Sequence, residues 1–428
     1  MLKILWVKSG GLVPLDTGGK IRSFHLLSEL AKLHTVDLFT FYPQHEGDKH
    51  DDLKQFVHEV VCQPLSIARP NSIGDYAHYA LNLLSSIPYS VAKDCRPEVL
   101  RKLRELLARQ NYDVLLCDFI HTAAVLPWDW PGPKVIFTHN VEARIWERHY
   151  RVSKNLIWKA VSWREYRMMS RMERRYTELA DFVLTVSDTD TAFFSQFLPA
   201  NKLATIPTGV DVEYFRSQAD TEQPNALIFT GSMDWMPNQD AISYFVKAIL
   251  PLIRVEIPDV TLWVVGRNPT AELKLLADDN PAVHVTGTVD DIRPFIERAS
   301  VYVVPLRIGG GTRIKIYEAM AMGKAVVSTR IGAEGLPVTH TENILLSDEP
   351  EDFAQSVVRM LRNPKERQRI AQSARKMVEE NYSWASAAEI LAKTLSQVVD
   401  KYQGRPAGSA RPDSPGSELR LGQPNQEA

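Results

Sequence analysis

Residues 301–335 read VYVVPLRIGGGTRIKIYEAMAMGKAVVSTRIGAEG, and the fold is decided by how this stretch is punctuated. A β-branched run ends at Pro305, and a glycine triplet follows at Gly309, Gly310 and Gly311. Thr312 is of the residue type that caps helix N-termini. The spacing predicts a helix from Arg313 to about Met322, stopped by Gly323, and then a second β-branched run. Strand, glycine loop, helix, strand is the repeat unit of a parallel sheet covered by helices.

The same alternation extends in both directions. Candidate strands lie at 3–7 (KILWV), 36–40 (VDLFT), 114–117 (VLLC), 134–138 (KVIFT) and 182–186 (FVLTV). A second series lies at 226–230 (ALIFT), 261–265 (TLWVV), 284–286 (HVT), 301–304 (VYVV) and 325–329 (AVVST). Between strands come helical patterns such as 21–33, with Ile21, Phe24, Leu27, Leu30 and Ala31 on one stripe. Short apolar strands of this kind are buried on both faces of a parallel sheet. The alternation pauses at 215–225 (FRSQADTEQPN), a polar stretch without apolar period. The chain therefore reads as a doubly wound α/β domain over 1–215, a linker at 216–225 and a second such domain over 226–382. A C-terminal helix at 383–402 and a disordered tail at 403–428, rich in Pro, Gly, Ser and charge, complete it.

Bulk properties exclude several classes. The 428 residues suit two domains. A formal net charge of -2 gives no overall field for nucleic acid. Three scattered cysteines, Cys62, Cys95 and Cys117, form no CxxC pair and point to a reducing compartment. No run of about 18 apolar residues is present, so the expectation is a cytoplasmic chain without a membrane-spanning helix.

In doubly wound sheets the ligand sits outside the carboxyl ends of the strands. The 309–312 loop opening a helix is suited to an anion, which free backbone N–H groups and the helix dipole attract. Arg313 and Lys315 oppose that dipole unless an anion is present. The alternative is a plain tight turn with solvated cations. Glu318 shares a helix face with Ile314, Tyr317 and Ala321, so its carboxylate turns inward and needs partners. A ribose diol supplies two hydroxyl donors; a core arginine is the alternative.

Residues 310–323 (GGTRIKIYEAMAMG) with 324–328 (KAVVS) resemble the donor-binding signature of the retaining GT-B glycosyltransferases of family 4. The segments 229–233 (FTGSM) and 206–215 (IPTGVDVEYF) are similar to that family's inter-domain segments. The resemblance covers nearly the whole chain except the tail, and looks closest to transferases of bacterial exopolysaccharide clusters, including those accompanying PEP-CTERM sorting systems. It implies two Rossmann-like domains facing across a cleft, a nucleotide-sugar donor as substrate, no cofactor and no essential metal. It also implies that the residue matching Glu318 holds the donor ribose. Gly309, Gly310, Gly311, Thr312, Arg313 and Lys315, with Gly231 and Ser232, would hold diphosphate and sugar. Gly18 and Gly19 match the first domain's phosphate loop, and His139 a histidine beside the donor sugar; bottom-up, Gly18 and Gly19 also fit any β-α turn, and His139 also fits a structural histidine. The chain departs from the pattern at Gly310, where the family usually has a glutamate, and at Asn238, the candidate place for a phosphate-binding lysine.

The expected activity is sugar transfer to a glycan or lipid-linked acceptor. A GT-B-fold sugar-nucleotide epimerase and a non-catalytic sugar-nucleotide-binding scaffold are the alternatives. Asp188 and Asp190 form a D-x-D string, which suits either a metal or, more simply, a helix cap. Residues 144–175 hold ten Lys or Arg against three Glu, interleaved with Trp146, Trp158, Trp163 and Tyr166. That stretch is either a peripheral contact for an anionic membrane or a solvated helix face whose tryptophans pack inward.

Overall fold

The computed structural model describes residues 1–15, 17–44, 50–69, 72–153, 155–217, 221–308 and 314–404. The chain forms two compact units, Met1–Ile206 with the residues from Ala388 onward, and Pro207–Ala387.

Among the described residues the first unit builds one seven-stranded parallel sheet. Its strands are β1 (Lys3–Ser9), β2 (Thr35–Pro43), β3 (Glu59–Leu65), β4 (Val114–Asp118), β5 (Lys134–Phe137), β6 (Phe182–Thr185) and β7 (Leu203–Thr205). Their order is β3-β2-β1-β4-β5-β6-β7. Ile4, Leu5, Trp6 and Val7 of β1 are fully buried, as a strand covered on both faces requires. Ile4 is in register with Val36 on one side and Val114 on the other.

Among its described residues the second unit builds a six-stranded parallel sheet from β8 (Ala226–Thr230), β9 (Thr261–Val265), β10 (Val283–Gly287), β11 (Val301–Val304), β12 (Ala325–Ser328) and β13 (Leu345–Leu346). Its order is β10-β9-β8-β11-β12-β13. Both sheets reverse their winding once, between β1 and β4 and between β8 and β11. These are the switch points where doubly wound sheets leave a crevice at the strands' carboxyl ends.

Several boundaries differ from the sequence reading. The division falls at Ile206, ahead of the stretch read as linker. Residues 221–225 are pinned within the second unit instead. Gln223 N donates to Arg298 O at 2.8 Å, and Glu222 pairs with both Lys324 and Arg367. The C-terminal helix, Trp384–Gln403, starts in the second unit and rejoins the first from Ala388. Of the tail read at 403–428, Gln403 instead ends this helix, and residues 405–428 lie outside the described residues. The strands β3, β7 and β13 were missed because each sits at or beside a sheet edge and lacks a long apolar run; β3 even contains Pro64.

Two glycine positions shape the second unit. Gly323 has φ 67° and closes the helix Ile314–Ala321 with bonds from Lys324 N to Ala319 O and Gly323 N to Met320 O. That is the paired-bond helix stop which a left-handed glycine permits. Gly266, just past β9, has φ 154°, and a Cβ there would stand 1.8 Å from the carbonyl oxygen of Gly231, just past β8. The two strand-end loops are further tied by Gly231 N donating to Val265 O at 3.0 Å.

Gly266→Ala is expected to destabilise the second unit by about 2–4 kcal/mol, the sum of backbone strain and overpacking. Urea unfolding would check this, and an unchanged midpoint would contradict the close approach of these loops.

Candidate active site

The switch point of the first unit is organised around one buried carboxylate. Asp118 ends β4 and is in register with Lys8 of β1. Trp6 and Lys8 are two apart on β1, so both side chains leave the same face of the sheet. Trp6 Nε1 donates to Asp118 Oδ2 at 2.9 Å, and Lys8 Nζ lies 3.2 Å from the same oxygen. His139 follows β5, and its Nε2 lies 2.7 Å from Asp118 Oδ1. That contact has ion-pair length, but its N–H direction falls short of a straight hydrogen bond. Arg22 Nη1, from the helix Gly18–Leu33, lies 3.2 Å from His139 Nδ1. Arginine can only donate, so Nδ1 accepts and the ring proton sits on Nε2, toward Asp118.

Burial and its neighbours set the ionisation of this group. Burial alone would raise the Asp118 carboxyl, but Lys8 and His139 hold it well below the ordinary carboxylate range. Burial pushes His139 down to about 4, against the pull of Asp118, so the ring is neutral near pH 7. Burial likewise lowers Lys8, and it lowers Arg22 to about 10, a cation still at neutral pH.

Around this network the backbone is under constraint. Phe119, directly after Asp118, has φ 72°, an unusual conformation for an aromatic residue. Its ring stacks on His139 at 3.9 Å. Gly18 opens the helix behind the Thr17 cap, and a Cβ on Gly19 would stand 2.7 Å from the Phe119 ring. Gly19 and His139 are thus brought together. The buried face of this helix is Arg22, Ser23, Leu26, Leu27 and Leu30. It is rotated from the expected apolar stripe because Arg22 and Ser23 face the buried charges.

The second switch point gathers Gly231, Ser232, Lys315 and their supports. Lys315 Nζ lies 3.0 Å from Asn238 Oδ1 and 4.1 Å from the Phe229 ring centre. A Cβ on Gly231 would come within 2.7 Å of both Lys315 Nζ and Asn238 Nδ2. Asn238 Nδ2 in turn donates to Ser232 O at 2.8 Å, and Arg267 Nε donates to Ser232 Oγ at 2.8 Å. A lysine from the helix Ile314–Ala321 therefore delivers its ammonium to Asn238.

Glu318 is one turn beyond Lys315 on the same helix. It is partly buried, and its carboxylate accepts no hydrogen bond from the described residues. Desolvation pushes it up to about 7, while Lys315 pulls the other way. The core-arginine alternative thus finds no support among the described residues. Gly309, Gly310, Gly311, Thr312 and Arg313 lie outside the described residues.

Asp188 and Asp190 open the helix Asp188–Phe194, whose cap is Ser187. The cap is thus Ser187 and neither aspartate; Asp190 accepts from Ser187 Oγ at 2.9 Å and Asp188 from Thr205 Oγ1 at 3.0 Å. Sequence reasoning missed Asp118, Arg22 and Lys8. The available signal was an apolar strand, VLLC, ending in a lone aspartate.

A family model described as Glycosyltransferase Family 4 matches residues 17–214, and one described as Glycosyl transferases group 1 matches 224–363. An uncharacterised 44.6 kDa protein in the cps region of Klebsiella pneumoniae is 24% identical over 89% of this chain and 97% of its own. The MMP alpha-(1->4)-mannosyltransferase of Mycolicibacterium hassiacum is 26% identical over 85% and 90%. Among solved structures, sucrose-phosphate synthase from Thermosynechococcus elongatus superposes with TM-score 0.70 at 18% identity, covering 94% of this chain and 100% of that one. Anabaena HepE in complex with UDP-glucose gives 0.65 at 16%, covering 93% and 100%. Two doubly wound parallel-sheet units with these neighbours define a GT-B fold. With both family models matched in succession, the chain belongs to the family 4-like GT-B glycosyltransferases.

A carboxylate raised to about 7, as Glu318 is, carries its proton more readily folded than unfolded. Its contribution to stability is complete below the ordinary carboxylate range and is lost as pH rises through about 7. Glu318→Gln is therefore expected to match the parent in thermal midpoint near about pH 4 and to exceed it near about pH 8. Identical midpoints across that range would show that Glu318 is not desolvated.

Proposed function

We propose that the protein transfers a sugar from a nucleotide-sugar donor to a glycan or lipid-linked acceptor, with retention of configuration and without a metal, in building a surface polysaccharide. The observation that carries this reading is Glu318, a desolvated carboxylate without a hydrogen-bond partner among the described residues, beside the cation Lys315. A ribose diol offers the two hydroxyl donors that such a carboxylate lacks. Lys315 stands one helical turn away, where a diphosphate attached to that ribose needs positive charge. Arg313 and the backbone of 309–312 are assigned to the same diphosphate by the sequence pattern. Gly231 and Ser232 leave room for it, since any side chain at 231 would displace Lys315.

In the first unit, Gly18 and Gly19 and the neutral His139 are the residues proposed to meet the phosphates and the sugar. A neutral histidine polarises or orients hydroxyls without opposing the cations that stabilise a leaving diphosphate. The names of relatives support the donor class: phosphatidylinositol monomannoside mannosyltransferases of Mycolicibacterium smegmatis and Mycobacterium tuberculosis are described as GDP-mannose-dependent, and HepE is described in complex with UDP-glucose. The cps-region relative supports the polysaccharide role.

Glu318→Ala is expected to weaken nucleoside-diphosphate binding by about 1.5–3 kcal/mol, roughly tenfold to a hundred-and-fifty-fold. Calorimetry on a folded variant decides this. Unchanged affinity would take Glu318 out of the donor site.

A further inference from the structure

The helix Leu156–Leu179 turns a divided face to solvent. Its buried side carries Ser162, Glu165, Met169, Met172, Glu173 and Tyr176. Two of its three glutamates are spent there as caps. Glu165 accepts from Tyr89 N at 3.1 Å and Glu173 from Glu142 N at 2.9 Å. At about 100° per residue, Leu156, Ile157, Trp163, Arg167, Arg171 and Arg175 fall within about a third of the circumference, opposite that buried side. Leu156 and Ile157 are 81% and 79% exposed, and Trp163 is 50% exposed. The inward packing of tryptophans expected for a plain solvated face therefore fails at Trp163, and also at exposed Trp158.

A second element adjoins this face. Arg164 bridges to it through Asn82 Oδ1 at 3.2 Å and Ser85 O at 3.4 Å. Leu84 there is 95% exposed, and Ile73 at the start of the helix Ile73–Asn82 is 90% exposed. Between the two elements runs a groove of about 420 Å³, lined by Leu83, Ser86, Met168, Arg171, Arg175 and Tyr176 among others. Among the described residues no carboxylate pairs with Arg167, Arg171 or Arg175, whereas the neighbouring Arg174 is paired with Glu178. The nearby Asp75 accepts from the Tyr89 hydroxyl. Among the described residues no helix is long and apolar enough to cross a membrane.

We propose that this groove and its apolar rim seat the first unit on an anionic phospholipid bilayer, with lipid phosphate against Arg171 and Arg175 and with Leu84, Ile73, Leu156 and Ile157 in the headgroup–acyl boundary. Single exposed apolar residues are ordinary, but several flanking unpaired arginines are not. Guanidinium groups match phosphate oxygens in two-point contacts. Tryptophan with arginine beside aliphatic side chains is the composition of an interfacial surface. A protein partner would need carboxylates to answer these arginines and would show no dependence on lipid charge. The inference deepens the lipid-linked acceptor proposed above, yet its test does not depend on the donor reading.

The test is co-sedimentation of the full chain with phosphatidylglycerol or phosphatidylcholine vesicles, at low and high salt. Wild type is expected to pellet with phosphatidylglycerol at low salt, less at high salt, and not with phosphatidylcholine. Arg171→Glu with Arg175→Glu is expected to bind at least about tenfold more weakly, since each cation near such a surface contributes on the order of fivefold. Its thermal midpoint and nucleotide affinity should stay at wild-type values, which separates loss of the surface from loss of the fold or the donor site. Ile73→Asn with Leu84→Asn, both at exposed positions, should remove the salt-resistant part of binding. Failure of wild type to pellet with phosphatidylglycerol at low salt, or undiminished pelleting of the double glutamate variant, overturns the proposal.

Discussion

Taking a carboxylate out of water costs several kcal/mol unless other groups replace its hydration. The two units of this protein meet that cost in opposite ways. Asp118 is surrounded: Trp6, Lys8 and His139 converge on its two oxygens, and it stays ionised in full burial. Glu318 is left without a hydrogen-bond donor among the described residues and is pushed up to about 7. The first is a finished structural anchor that fixes the tautomer of His139 and, through it, the place of Arg22. For the second we propose that the missing partners are the donor's ribose hydroxyls.

Sheet topology explains why both carboxylates sit where they do. Each sheet reverses its winding once, and each carboxylate lies beside the reversal, on β4 or on the helix after β11. Close backbone approaches at the same places use glycine for a steric reason. A side chain at Gly19 would strike Phe119, one at Gly231 would strike Lys315 and Asn238, and one at Gly266 would strike Gly231. Even Gly209, in the segment 206–215, admits the Trp384 backbone and indole at distances that a Cβ would close to 2.7 Å.

Much of this was legible in the sequence because its causes are local. Apolar strand runs, the strand–glycine–helix punctuation and the Gly323 stop all depend on neighbouring residues. What stayed hidden depends on distant ones. Strand β13 is two residues long and exists only through pairing with β12. The polar segment ending at Asn225 looked like a linker because nothing local reveals that Glu222 meets Lys324 and Arg367. Arg22 broke the apolar stripe of its helix because a partner more than a hundred residues away, His139, faces it. At 144–175 the charge count was readable, but not that Glu165 and Glu173 are buried as caps while Trp163 stays in solvent.

The proposed activity is sugar transfer from a nucleotide-sugar donor. It is tested most directly by incubating the purified full chain with a panel of nucleotide sugars in excess chelator, with and without membrane lipid extract, and measuring released nucleoside diphosphate. Such transfer predicts release from a particular donor, stimulated by the extract, undiminished by chelation, and coupled to a product of retained configuration. Binding of nucleotide without release from any donor, or release that vanishes with chelator and returns with a divalent ion, would contradict it.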